Sequence, residues 1–103
     1  ASRRRPTAVV CGSYDLARGV LRAAAEAGLD VPRALSVASY DNIPQMAELD
    51  VPVTAVGADI DAMAELVADS LLRLVEQPDA VGTVTLEPSL VVRVSTAPPP
   101  AEI

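Results

Sequence analysis

The order of segments in the first forty residues constrains the fold more than any other feature. Residues 8–12 form a short continuous apolar run with two β-branched valines, a pattern typical of a strand buried on both faces. Residues 16–27 then repeat apolar side chains at helical spacing, and Gly28 is the expected helix stop. Residues 35–40 supply a second strand. This order predicts a βαβ unit in which residues 8–12 are a central strand of a parallel sheet.

The next segments continue the α/β pattern. Residues 41–52 are predicted to form a loop with room for one helical turn, and residues 53–56 a third short strand. Asp59 is the expected N-cap of a second helix over residues 60–76, which must end before Pro78. One face of this helix is apolar and needs a partner surface: Ile60, Met63, Ala64, Val67, Leu71, Leu74 and Val75.

The chain has 103 residues, which is room for one domain. We predict a basic tail over residues 1–6, a domain body over 7–97 and a proline-rich tail over 98–103. Within the body, residues 84–86 and 90–94 are predicted to be short extended segments. The fold class is therefore α/β, with a parallel βαβ sheet, and its core must be aliphatic because the chain contains no Phe and no Trp.

The composition excludes several kinds of chemistry. The chain contains no His and no Lys and has one cysteine, Cys11, so a Ser-His-Asp triad, the usual zinc site and a lysine Schiff base cannot be built from it. Cys11 is predicted to be a small buried residue, and the lack of an internal disulfide fits a reducing cytoplasm. Eight arginines against fourteen acidic residues give a net charge of −6, which disfavours nucleic-acid binding by the body. We expect no enzymatic activity, metal or cofactor.

Membrane association is not expected either. No apolar stretch approaches the roughly 20 residues that a membrane span needs. Residues 1–6 are rich in arginine, but no apolar segment with a small-residue cleavage site follows them, so a signal peptide is not predicted. These features predict a cytoplasmic protein.

Polar residues follow the predicted strands at the edge where open parallel sheets bind ligands. Ser13, Tyr14 and Asp15 follow the first strand, and Asp41 and Asn42 follow the second. Carboxylates accept hydrogen bonds from hydroxyl groups, and an aromatic ring can cover the apolar face of a sugar. The pattern thus favours a site for a small hydroxyl-rich molecule. The alternatives are that Asp15 only stabilises the start of the helix and that the other pair only forms a turn.

The same segments resemble the effector domain of the lactose-repressor and galactose-repressor family of bacterial transcription regulators. The resemblance extends from Pro6 to Thr96 and rests on segments in the family's order: PTAVVCGSYDLARG at 6–19, LRA at 21–23, GL at 28–29, VP at 31–32, LSVASYDN at 35–42, VTAV at 53–56 and LVVRVST at 90–96. It implies a periplasmic-binding-protein-like fold of two α/β subdomains that close on a small effector. In that family a helix-turn-helix headpiece binds operator DNA, and this chain resembles only the carboxyl-terminal part of the effector domain.

The resemblance also implies which residues contact the effector. Asp41 matches the aspartate that holds effector hydroxyl groups in the family. Ser13 stands where an Asn is usual, Tyr14 where an Asp is usual, and Ala58 where a Gln often contacts the effector. Together with Asp15, these residues form the predicted effector site. The departures put the family's usual sugar or purine effectors in question.

A homodimer is the oligomeric state that the resemblance implies. Its surface combines the helix after the first strand with the loop after the second, and these positions are Leu16, Arg18, Gly19, Arg22, Glu26, Gln45 and Leu49. The alternative for the charged positions is a solvated helix face with a pair four residues apart. The helix over 60–76 would pack on the missing amino-terminal subdomain.

The function that these expectations favour is effector sensing and dimerisation within a transcription regulator. The predicted partners are a small-molecule effector, a second copy of the chain, and operator DNA only through the missing headpiece. A periplasmic sugar-binding protein of a transporter is the main alternative, and a purely structural dimerisation module is another.

Overall fold

The computed structural model describes residues 5–80 and 82–101, and within them the chain folds around one four-stranded sheet. The elements are β1 (Ala8–Cys11), α1 (Tyr14–Glu26), β2 (Ser36–Tyr40), a 3-10 turn (Pro44–Ala47), β3 (Thr54–Gly57), α2 (Ile60–Glu76) and β4 (Ser89–Val91). The sheet order is β1-β2-β3-β4. The first three strands run parallel and β4 is antiparallel to β3, which confirms the α/β class and the parallel βαβ unit.

Local signals set the helix ends, and Gly28 and Asp59 act there as the sequence predicts. The Ser13 hydroxyl accepts the Leu16 N–H at 3.3 Å and caps α1. Gly28 follows this helix with a φ of +73°, a conformation that favours glycine. The Asp59 carboxylate accepts the Asp61 N–H at 2.9 Å and caps α2. The chain thus turns from β1 into α1, and from β3 into α2, within two residues.

The core is small and aliphatic, as predicted. It lies where α1 and the 3-10 turn pack on β1, β2 and β3, and its members are Cys11, Ala17, Ala24, Leu35, Val37, Met46, Val53 and Ala55. Met46 is the largest of the fully buried side chains. Because α1 presents only alanines to the centre of this core, it can approach the sheet closely.

Two strand predictions are wrong in part. β1 is not a central strand but lies at an edge of the described sheet, and it is not buried on both faces, since Val10 is 68% exposed. A continuous apolar run alone does not reveal which neighbours a strand has. Residues 84–86 form no strand, and of residues 90–94 only the first two belong to β4. The chain leaves the sheet there because the Arg93 N–H donates to the Thr54 hydroxyl at 3.0 Å.

After β4, a buried serine of the chain bonds to the amino-terminal ends of β2 and β3. The Ser95 hydroxyl accepts the Thr54 N–H at 2.8 Å and donates to the Val37 carbonyl, while the Ser95 carbonyl accepts the Val37 N–H at 2.9 Å. Ser95 therefore ties the starts of β2 and β3 together. Its hydroxyl and its carbonyl are therefore satisfied although the residue is fully buried.

The ends of the chain are only partly described. Arg5, from the predicted basic tail, donates to the Ala34 carbonyl at 2.8 Å. Residues 1–4 of that tail and residues 102–103 of the predicted proline-rich tail lie outside the described residues. The boundaries of the domain body stay a prediction.

Helix α2 differs from the other elements because none of its residues is buried. Among the described residues, neither α1 nor the sheet packs extensively against it. Val67, Leu71, Leu72 and Val75 are each more than 60% exposed. Together with residues 82–86, α2 lines an open apolar groove. The molecule measures 60 × 23 × 22 Å along its principal axes.

Candidate functional site

A cavity of about 420 Å³ lies at the carboxyl ends of β1, β2 and β3. This is within the range of roughly 300–1,000 Å³ that is usual for small-molecule sites. The lining residues are Ser13, Tyr14, Asp15, Asp41, Asn42, Ile43, Gly57, Ala58, Ile60 and Met63. The structure therefore brings the five predicted effector-site residues, Ser13, Tyr14, Asp15, Asp41 and Ala58, into one cavity.

The turn after β2 carries Asp41, one of the two carboxylates that line the cavity. Asp41 has a φ of +69°, in the left-handed region that Asp and Asn tolerate better than most residues. Its N–H donates to the Val56 carbonyl at 2.9 Å, and its carbonyl accepts the Ile43 N–H at 2.9 Å. These two bonds hold the backbone, while the Asp41 side chain is exposed toward solvent.

Gly57 lets the neighbouring strand end approach this turn. A Cβ atom at Gly57 would lie 2.9 Å from the Asn42 nitrogen and 3.5 Å from the Asp41 Cα. The first distance is too short for a real Cβ contact, so a larger residue would displace the turn. The end of β3 and the turn after β2 are thus closely packed beside the cavity.

The charge of the described cavity wall is negative. Asp15 and Asp41 are the charged residues among the described lining, and the wall contains no arginine. The Ser13 hydroxyl already caps α1, so one donor of that helix end is occupied. Such a wall suits a ligand that donates hydrogen bonds from hydroxyl or amino groups.

One side of the cavity is apolar or aromatic. Tyr14 lines it, and the Arg18 guanidinium carbon lies 5.7 Å from the centre of the Tyr14 ring, within the range of a cation–π contact. Ile43, Ile60 and Met63 supply the aliphatic part. Sequence reasoning did not include these three in the site. Ile60 and Met63 belong to the apolar stripe of α2, which identifies a packing face but does not distinguish it from a ligand wall.

Arg93 is a further residue that the sequence did not predict for the site, and it contacts the turn after β2 without lining the cavity. Arg93 follows β4, and its guanidinium donates to the Asn42 side-chain oxygen at 2.7 Å and to the Val53 carbonyl at 2.6 Å. Its only signal in the sequence is a charged residue inside an apolar segment. That signal does not reveal partners 51 and 40 positions away.

The predicted dimer positions lie at the surface but form no single continuous groove. Arg18, Arg22 and Leu49 line one groove of about 500 Å³ between α1 and the loop before β3. The other positions, Leu16, Gly19, Glu26 and Gln45, are exposed but do not line it. The Arg22 and Glu26 side chains pair at 3.3 Å and are 83% and 69% exposed, which also fits the solvated-face alternative.

Two other features bear on the chemistry. Cys11 is 5% exposed, and burial raises the pKa of its thiol, which keeps it protonated and unreactive.

The described residues contain no cluster of three or more His, Cys, Asp or Glu side chains that could hold a metal ion. In the same part of the chain, no helix has both the length and the apolar character to cross a bilayer.

The fold and the cavity together define a partial α/β domain whose site lies at the carboxyl ends of its parallel strands. The chain belongs to the family of periplasmic binding protein-like domains, which matches residues 1–96. Within it, the chain is a part of the effector-binding domain of lactose-repressor-family regulators, which confirms the resemblance found in the sequence.

Three relatives illustrate the match. The HTH-type transcriptional regulator MalR of Streptomyces coelicolor is 41% identical over 97 residues, covering 93% of this chain and 28% of the regulator. A LacI family transcriptional regulator from Enterococcus faecalis V583 with bound ribose has a TM-score of 0.83 and 29% identity, covering 93% of this chain and 36% of the other. The lac repressor dimer bound to operator has a TM-score of 0.74 and 32% identity, covering 88% and 32%. The chain thus spans about 28% of the length of MalR.

Proposed function

We propose that this chain is the effector-sensing and dimerisation part of a bacterial transcription regulator. In this proposal, the cavity binds a small polar ligand of the sugar type, and binding modulates how a headpiece elsewhere in the regulator binds DNA. The observation that carries the proposal is the convergence of Ser13, Tyr14, Asp15, Asp41 and Ala58 on one cavity at the strand ends. The ribose bound to the similar Enterococcus faecalis regulator supports the class of ligand.

Each wall of the cavity has a role in this proposal. The Asp41 and Asp15 carboxylates accept hydrogen bonds from ligand hydroxyl groups, and Ser13 supplies a hydroxyl that donates or accepts. The Tyr14 ring covers the apolar face of the ligand, and Ala58 leaves space where a larger side chain would intrude. Because the described wall is acidic, the favoured ligand is neutral or cationic.

The proposal assigns α2 and the α1 surface to the rest of the assembly. The exposed apolar face of α2 would pack on the other subdomain of the regulator, and the α1 face with Arg18, Arg22 and Leu49 would contribute to a homodimer. An effector that binds one arrangement of the two subdomains more tightly would shift the population toward it. The relatives are transcription regulators, so a periplasmic transport protein is the less favoured alternative.

The test is calorimetric titration of the intact regulator with ribose, glucose and sucrose. We expect binding of at least one sugar, weakened by about 1.5–3 kcal/mol in Asp41→Ala, the scale of a hydrogen bond to a charged group. Asp41→Asn is the sharper variant, because Asn tolerates the left-handed backbone while losing the charge. Asp79→Asn, on an exposed turn that does not line the cavity, is the matched control.

Two results would count against the proposal. Unchanged sugar affinity in both Asp41 variants would remove this residue from the site. Failure of the unaltered regulator to bind any of the three sugars would contradict the sugar-like class of ligand.

A further inference from the structure

The turn that carries Asp41 is held from behind by a residue that does not line the cavity. Arg93 is half-buried, and its two terminal nitrogens donate to different parts of the chain. One donates to the Asn42 side-chain oxygen at 2.7 Å and the other to the Val53 carbonyl at 2.6 Å. We propose that Arg93 is a positioning residue of the ligand site, an inference that rests on the proposed function.

The backbone of Arg93 is fixed independently of its side chain. Its N–H donates to the Thr54 hydroxyl at 3.0 Å, and that hydroxyl lies 2.7 Å from the Thr96 hydroxyl. Thr54 is only 4% exposed. The Arg93 backbone, from which the guanidinium extends, is therefore bonded to a buried residue of β3. Water does not compete freely for this bond between Arg93 and Thr54.

Only an arginine can make this pair of contacts. Its planar guanidinium presents donors in a fixed fork, which here joins the start of β3 at Val53 to the end of β2 at Asn42. A lysine has one nitrogen on a flexible stem and cannot keep this forked geometry toward both acceptors. Hydrogen bonds from a charged donor are also roughly twice as strong as neutral ones.

The link matters for the ligand because Asn42 shares a tight turn with Asp41. The turn is confined on one side by Gly57, and Arg93 holds its Asn42 side chain from another. With Arg93 in place, the Asp41 carboxylate is pre-organised and a ligand need not order it. Arg93 also follows β4, the strand by which the chain returns to the sheet after α2. Its side chain therefore connects the segment after β4 to the turn that carries Asp41.

The experiment compares Arg93→Met, Arg93→Lys and Asn42→Ala in the intact regulator, titrated with whichever of ribose, glucose and sucrose the unaltered protein binds. We expect Arg93→Met to weaken that sugar's binding roughly 10-fold, with Arg93→Lys giving at most partial rescue. Arg73→Met, at an exposed arginine of α2 outside the cavity lining, is the control and should leave the affinity unchanged.

The double variant separates positioning from general stability. If Arg93 acts through Asn42, then Arg93→Met in the Asn42→Ala background should cost little further affinity, because the bond is already lost. A merely structural role would instead give additive losses. Additivity, or unchanged affinity in Arg93→Met, would overturn the inference.

A second readout needs no ligand. The Ile43 N–H donates to the Asp41 carbonyl within the turn, so its hydrogen exchange should accelerate in Arg93→Met but not in Arg73→Met. Unchanged exchange would refute the positioning role even if sugars bind. Faster exchange in a regulator that binds none of the three sugars would uphold the role of Arg93 in the turn and reject the proposed ligand class.

Discussion

The sheet body, comprising residues 8–57, differs from the arm formed by α2 and residues 82–86. The body contains every member of the buried hydrophobic core, whereas α2 has no buried residue. Both helices have side-chain N-caps and an amphipathic pattern. Capping and periodicity therefore determine that a helix forms, but the presence of a partner surface determines whether its apolar face is covered.

The exposed face of the arm is large for a surface that meets only water. Four of its aliphatic side chains, Val67, Leu71, Leu72 and Val75, are each more than 60% exposed. Burying one such side chain contributes on the order of 1.5–3 kcal/mol. A contiguous face of this kind is typical of an interface. We therefore expect the body to be the stable unit of the chain, and the arm to need a surface outside the described residues.

The largest expected effect lies in the body. Met46 is fully buried and packs in the central cluster, so Met46→Ala in the 103-residue chain should reduce the free energy of unfolding by about 2–5 kcal/mol. Met46→Leu, which nearly conserves volume, should cost less than about 1.5 kcal/mol. Urea unfolding followed by circular dichroism measures both. Equal, small losses would mean that the body is not the stable unit.

Substitutions on the exposed apolar face of α2 should affect stability differently in the isolated chain and in the intact regulator. Leu71→Ala in the 103-residue chain should change the free energy of unfolding by no more than about 0.5 kcal/mol, since the side chain is 61% exposed. In the intact regulator the same change should cost about 1–3 kcal/mol if α2 packs on the other subdomain. The isolated chain should also bind a dye for exposed apolar surface. Equal effects of the change in the two proteins would contradict the assignment of α2 to a subdomain interface.

The sequence predicts elements well where the signal is local. The βαβ unit follows from one apolar run, one helical period and the stop at Gly28. The edge position of β1 is a relation between strands, and no residue within 8–12 encodes it. The strand β4 ends where the Arg93 N–H bonds to the Thr54 hydroxyl, 39 positions away, and such a pair has no local pattern.

The candidate site follows the same division. The expected clustering of Ser13 to Asp15 with Asp41 depends only on parallel strands ending at one edge, and the cavity brings them together. The contribution of Arg93 depends on a side chain that reaches two distant segments, so it requires coordinates. The roles in ligand binding stay predictions, because shared geometry is necessary for a site but does not identify a ligand.

Two glycines give a smaller and sharper test within the body. A Cβ at Gly19, inside α1, would meet nothing within 4 Å, so Gly19→Ala should stabilise the 103-residue chain by about 0.5–1 kcal/mol. Gly57→Ala would place its Cβ 2.9 Å from the Asn42 nitrogen and should destabilise by about 1–3 kcal/mol. Thermal unfolding of both variants checks the signs. A stabilising Gly57→Ala would show that the turn after β2 is not packed as described.

The smallest effect is a pH dependence that belongs to the body alone. Burial raises the pKa of the Cys11 thiol in the folded chain, whereas the unfolded chain has an ordinary value of about 8.5. The unfolded state then loses its proton first, so the stabilisation is complete below that pH and declines as the pH rises through the folded value. Cys11→Ala should remove this part of the pH dependence. Urea unfolding midpoints of the unaltered chain and of Cys11→Ala, each measured at pH 7.5 and 10, give the change of stability with pH for both proteins. The cost of the lost side-chain volume is the same at both pH values, so it does not affect this comparison. Identical slopes would mean that the thiol is not desolvated, and that the edge strand β1 is more open than the rest of the sheet body.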